Sequence, residues 1–138
     1  MQSSRHATRE HRGELALELE ADTLPHLFEE AARALHECLA GAGAPGQGQG
    51  AWSRIAVHAR DRDALLVAFL DELIGRGEIE KCAFGEVRIE ALDERSLVAA
   101  VRGQPLAAPH TAVKAATFHG LHIDNSPTGW AATVVLDI

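Results

Sequence analysis

The spacing of apolar residues changes along this chain and then settles, and that order limits the folds open to it. From Glu14 to Glu20 the sequence reads ELALELE, with Leu15, Leu17 and Leu19 on one side of an extended chain and acids mostly on the other. That is the alternation of a half-buried strand. Asp22-Thr23 then offers N-capping oxygens, and Pro25 suits a first helical turn. Leu24, Leu27, Phe28, Ala31, Leu35 and Leu39 follow at helical spacing, which predicts an amphipathic helix ending at Gly41. Residues 52–59 read as a second strand. Asp61 or Asp63 caps a second helix with Leu65, Leu66, Phe69, Leu70, Leu73 and Ile74 as its stripe, and Gly75 and Gly77 are expected to close it. After that the period stays at two. Residues 84–91, 96–103, 113–123 and 130–138 all read as strands, divided by turn-forming runs such as Asp93-Glu94-Arg95 and Asn125-Ser126-Pro127.

The order β-α-β-α followed by strands implies an α+β class: a two-layer sandwich with both helices packed on one face of a mixed, mostly antiparallel sheet. A length of 138 residues fits one domain, expected over residues 11–138. Residues 1–10 are polar and expected to fray. Residues 41–51 (GAGAPGQGQGA) lack the Gly-Lys-Ser/Thr ending of a phosphate-cradling loop and read as a flexible connector.

The charge narrows the partners. With 13 Lys and Arg against 20 Asp and Glu the chain carries −7, which disfavours direct nucleic-acid binding and adhesion to anionic lipid. No apolar run is long enough to span a membrane, and the first dozen residues lack a secretory apolar core. Cys38 and Cys82 are too few for a disulfide framework and read as buried thiols, so a cytoplasmic location is expected.

Eight histidines invite a metal hypothesis, yet His119 and His122 stand three apart in an expected strand and so point to opposite faces. His122 and Asp124 share a face, as solvated strand-end residues often do. No GxSxG, HExxH or zinc-deaminase signature occurs. The termini carry more. Glu14 opens the first expected strand, and Asp137 closes the last beyond the apolar run TVVL. If those strands are neighbours, Glu14, Asp137 and a carboxylate oxygen of Ile138 converge as an all-oxygen cluster suited to Ca²⁺, Mg²⁺ or Mn²⁺. The alternative is two solvated strand ends. Lys114, inside an otherwise apolar segment, either reaches solvent or faces those acids as a counter-charge.

Four segments in order resemble the archease family. Val113-Lys114-Ala115-Ala116-Thr117-Phe118-His119-Gly120-Leu121 is similar to its VKAxT(Y/F)HxL segment, and Val134-Val135-Leu136-Asp137-Ile138 to its VxxDI/V ending. Asp61-Arg62-Asp63-Ala64-Leu65-Leu66 through Ile74 resembles its DxExLLxxWLxELL helix, and Thr23-Leu24 through Ala32 its TLxExFxxAA helix. One position departs: where the family begins with His-Thr-Ala-Asp, this chain reads His11-Arg12-Gly13-Glu14. Glutamate keeps the charge and moves the oxygens one methylene outward, which suits an irregular Ca²⁺ cage better than octahedral Mg²⁺.

The resemblance implies a non-catalytic accessory protein of an RtcB-type RNA-splicing (tRNA) ligase, promoting guanylylation of that ligase and multiple turnover. It implies metal ligation by Glu14, Asp137 and Ile138, with Asp61, Lys114 and His11 in contact or supporting roles. The implied ion is divalent, calcium first and magnesium or manganese next. The rival readings are a metal-free interaction module and a small metal-dependent hydrolase using the same acids.

Overall fold

A computed structural model of the chain describes residues 3–44, 48 and 50–138. Among these, the elements run β1 (Ser4–His11), β2 (Glu14–Ala21), α1 (Leu24–Ala40), β3 (Ser53–His58), α2 (Arg62–Glu80), β4 (Cys82–Leu92), β5 (Ser96–Pro105), β6 (Ala115–Thr117), β7 (Ile123–Ser126) and β8 (Gly129–Asp137). The expected α+β class, with two helices on largely antiparallel strands, is what forms. The strands divide into two sheets rather than one. One has the order β1-β2-β8-β6, with β7 also on β8; the other is β3-β5-β4. Every pairing is antiparallel, where a mixed sheet was expected. The reason is topological: β5 lies between β3 and β4, so the two parallel strands joined through α2 never touch.

Both helices form where the stripes place them. Thr23 Oγ1 accepts from His26 N–H at 3.2 Å, and Asp61 Oδ1 accepts from Ala64 N–H at 2.8 Å, each satisfying a first-turn donor. α1 packs on β1, β2 and β4, while α2 packs on β6, β3, β4 and β5, so the helices bridge the two sheets. Leu15, Leu17 and Leu19 of β2 and Val134 and Leu136 of β8 turn toward them and are buried. Phe28 and Phe69 meet in that core with ring centroids 6.0 Å apart. Each such side chain contributes about 1.5–3 kcal/mol by burial.

Three expectations need correction. Residues 4–11 do not fray: β1 pairs with all of β2. The hairpin closes on Arg12 and Gly13 with φ of 43° and 81°, a two-residue turn with both angles positive. β1 is therefore the edge strand of the larger sheet. Second, α2 does not stop at its glycines but runs on to Glu80, with Lys81 left-handed at the cap. A carbon on Gly77 would lie 2.7 Å from Cys82 O, so this glycine lets β4 start tight against the helix. Third, residues 113–123 are not one strand. β6 and β7 are separate, with residues 118–122 outside the sheet. Ala116 N–H donates to Asp71 of α2 at 2.8 Å, and Ile123 N–H to Asp63 at 3.2 Å. Two helix carboxylates thus hold the two short strands.

Of the expected connector over 41–51, residues 45–47 and 49 lie outside the described residues, as do residues 1–2 of the expected frayed end. Gly48 N–H donates to Glu86 at 2.6 Å, close against Arg102. No helix among the described residues is long and apolar enough to cross a membrane.

Candidate functional site

The register of the larger sheet sets His11 opposite Glu14, Glu14 opposite Asp137, and Asp137 opposite Ala115, one row across four strands. Strand alternation puts this row on the face away from the helices, because Leu15 and Leu136 next to it are buried. Directly opposed residues in an antiparallel pair have Cα atoms about 4.5–5.5 Å apart, so the two carboxylates stand side by side. The main chain fixes them from both flanks. Lys114 N–H donates to Asp137 O at 2.8 Å, and Ile138 N–H donates to Gly13 O at 3.0 Å. A carbon built on Gly13 would lie 4.0 Å from the Ile138 oxygen, which places Ile138 beside the hairpin turn. The expected convergence of Glu14, Asp137 and Ile138 is therefore present as a juxtaposition.

What surrounds the pair separates it from its neighbours. Three acids of β2 face outward. Glu18 is paired with Arg9 at 2.9 Å, and Glu20 with Arg5. The side chains of Glu14 and Asp137 form no hydrogen bond or ion pair with any described residue. Like charges directly opposed in a ladder repel. The pair thus has the donor chemistry of a hard-cation site: acceptor-only oxygens, concentrated negative charge, no internal counter-charge. The side-chain set is sparse, however. Among the described residues no group of three or more His, Cys, Asp or Glu side chains is arranged to hold a metal. An ion here would need main-chain or carboxylate oxygen from Ile138, and water, to complete its shell.

The remaining expected residues are dispersed. His11 ends β1, in the row beside Glu14. Asp61 caps α2 and pairs loosely with Arg60 at 3.5 Å. Asp63, two residues on, meets Ile123, which is opposite Ala132, so this end of α2 meets the sheet away from the Glu14–Asp137 row. Lys114 precedes β6 rather than lying within a strand, and its exposed side chain has no partner among the described residues. His119 and His122 lie in the excursion between β6 and β7, not in a strand. His122 sits between Asp124 at 3.1 Å and Asp63 at 3.9 Å. Both cysteines are free, and burial pushes the Cys38 thiol up to about 11, which makes it a poor nucleophile.

Sequence reasoning missed a second polar cluster. Glu30 of α1 is buried at 4% exposure, where it accepts from Ser4 Oγ at 2.5 Å, His6 Nδ1 at 2.5 Å and Arg33 at 2.8 Å. Burial acts first to raise its carboxyl, but Ser4, His6 and Arg33 outweigh that and hold it below the usual range. With β1 read as frayed, nothing in the sequence pointed from Glu30 to Ser4 and His6. Asp71 is the opposite case: burial raises its carboxyl, and the Ala116 N–H only partly offsets this.

Comparison with known proteins agrees with this architecture. A sequence model of the Archease protein family (MTH1598/TM1083) matches residues 6–138. Protein archease of Methanosarcina acetivorans is 30% identical, covering 94% of this chain and 92% of that protein. Protein archease of Pyrococcus furiosus is 31% identical over 94% and 95%. The solution structure of Methanobacterium thermoautotrophicum protein 1598 superposes with a TM-score of 0.72 at 25% identity, covering 96% of this chain and 98% of that one. A family match that takes in most of β1, both helices and the Glu14–Asp137 row makes this chain a member of the archease family.

Proposed function

We propose that this archease serves an RtcB-type RNA-splicing ligase in the cytoplasm as an activator, promoting guanylylation of the ligase and repeated turnover. The observation that carries the reading is the register of β2 on β8, which opposes Glu14 and Asp137 with no ion-pair partner among the described residues. In this reading Glu14, Asp137 and Ile138 hold a divalent ion, calcium first, and the acidic row enters a basic nucleotide cleft guided by charge complementarity. An ion held there would neutralise negative charge developing in nucleotidyl transfer. The chain's own part is to present the carboxylates on rigid neighbouring strands, with Lys114 and His11 flanking them. Asp61, at the N-terminus of α2, contributes through that cap.

The test is RNA ligation by an RtcB-type ligase at limiting concentration, with GTP and Mn²⁺. Product beyond one turnover per ligase with wild type, lost with Asp137→Ala and reduced with Glu14→Ala, supports the reading. Unchanged product with wild type overturns it. Nucleotide turnover by the isolated chain would instead favour the hydrolase. The sparse side-chain set favours one rival, a metal-free interaction surface. Calorimetry with Ca²⁺ separates the two, because absence of heat at millimolar ion leaves only the interaction surface.

A further inference from the structure

His6 is held in a way a neutral imidazole cannot satisfy. Its Nδ1 lies 2.5 Å from Glu30 Oε2, and its Nε2 lies 2.7 Å from Glu37 Oε2. Ionised carboxylates only accept, while a neutral imidazole carries a single N–H; both contacts are hydrogen bonds only when both ring nitrogens carry protons. The ring projects from the core-facing side of β1, opposite Leu19, onto a stripe of α1 formed by Glu30, Arg33 and Glu37. Glu18 and Glu20 of β2, flanking Leu19, turn to the other face, where Arg9 and Arg5 take them. No other charged group among the described residues is bonded to His6.

This contact links β1 to α1. β1 is an edge strand paired only with β2, and six of its eight residues are exposed. It brings no large apolar side chain to α1, so the polar cluster of Ser4 and His6 with Glu30, Arg33 and Glu37 is its tie to the helix.

We propose that His6 is a proton-operated latch: as imidazolium it bridges Glu30 and Glu37 and holds edge strand β1 on α1, and on losing its proton it lets β1 loosen from the helix. The electrostatics agree in sign. Burial is the largest single influence and lowers the affinity of His6 for its proton, but the bonds and charges of Glu30 and Glu37 together raise it above the ordinary 6.5. The stabilisation is full below 6.5 and is lost as pH rises through the raised folded value. Glu30 sets the other limit. Its contribution is present above 4.5 and is lost as pH falls through its lowered folded value. The latch is closed between these limits.

The test is NMR on the full chain between about pH 5 and 9, following the His6 ring resonances and the amide protection factors of β1 and β8. The expected result is a His6 midpoint above 6.5, with β1 protection falling through that same midpoint while β8 protection holds. Glu37→Gln should move both midpoints down together. His6→Gln should make β1 protection independent of pH. A His6 midpoint at or below 6.5, or β1 protection that stays level through it, overturns the latch. So does a loss of β1 protection that persists at the same pH in His6→Gln.

Discussion

Two carboxylate clusters flank the same hairpin and are treated in opposite ways. On the inner side, Glu30 is buried and fully answered by Ser4, His6 and Arg33. On the outer side, Glu14 and Asp137 face one another with no cation paired to them among the described residues. The first is closed on itself and ties two elements together. The second is left to water or to something from outside, and its repulsion is a small standing cost carried by strands that Leu15, Leu17, Val134 and Leu136 hold in place. Structural acids bring their own donors, and an acid pair without them is where an external ligand has something to gain.

Substitution sharpens the contrast. Glu30→Ala should have the largest effect, about 3 kcal/mol of stability by denaturant titration, because three donors lose their acceptor at a buried position. A loss under about 0.5 kcal/mol would mean the inner cluster is no more structural than the outer one. The outer pair should respond to ion rather than to truncation. Calcium at a hundredfold excess over its dissociation constant should stabilise wild type by about 2.7 kcal/mol and leave Asp137→Ala unmoved. Equal midpoints with and without calcium would assign the pair to protein contact alone. Asp71→Ala should cost about 1 kcal/mol by releasing the Ala116 N–H, with faster amide exchange confined to β6. The smallest effect expected is from Glu14→Gln without divalent ions, a gain of a few tenths of a kcal/mol at low ionic strength that fades with salt.

The sequence was readable where burial imposes a period. Leu15, Leu17 and Leu19 declare β2, and the stripes from Leu27 and Leu65 declare both helices, because one side of each must enter the core. β1 was not readable: as an edge strand it carries SRHATREH, charged on one face and polar on the other, and its turn uses an arginine at positive φ. Nor was the break between β6 and β7, since it depends on Asp63 and Asp71 reaching across from α2. The extent of α2 was misjudged because Gly77 answers to a neighbour, Cys82, rather than to its own helix. The site followed the same rule. Glu14 and Asp137 were legible as strand ends, their adjacency depended on sheet order, and Asp61 was legible as a cap because it stands just ahead of the α2 stripe.

Sheet order also has a kinetic side. β8 lies in the middle of the larger sheet and is the partner of β2, β6 and β7, although it comes after all of them in the chain. Until it inserts, β2 and its hairpin have no neighbour on that edge, and β6 and β7 have no strand to pair with. The β2–β8 contacts, which join the two ends of the chain, are slow to form, because chain closure must precede the gain. The Glu14–Asp137 row, shared by β2 and β8, exists only once that insertion is complete. A chain in which β8 has not yet paired with β2 therefore presents no opposed acidic pair to any partner.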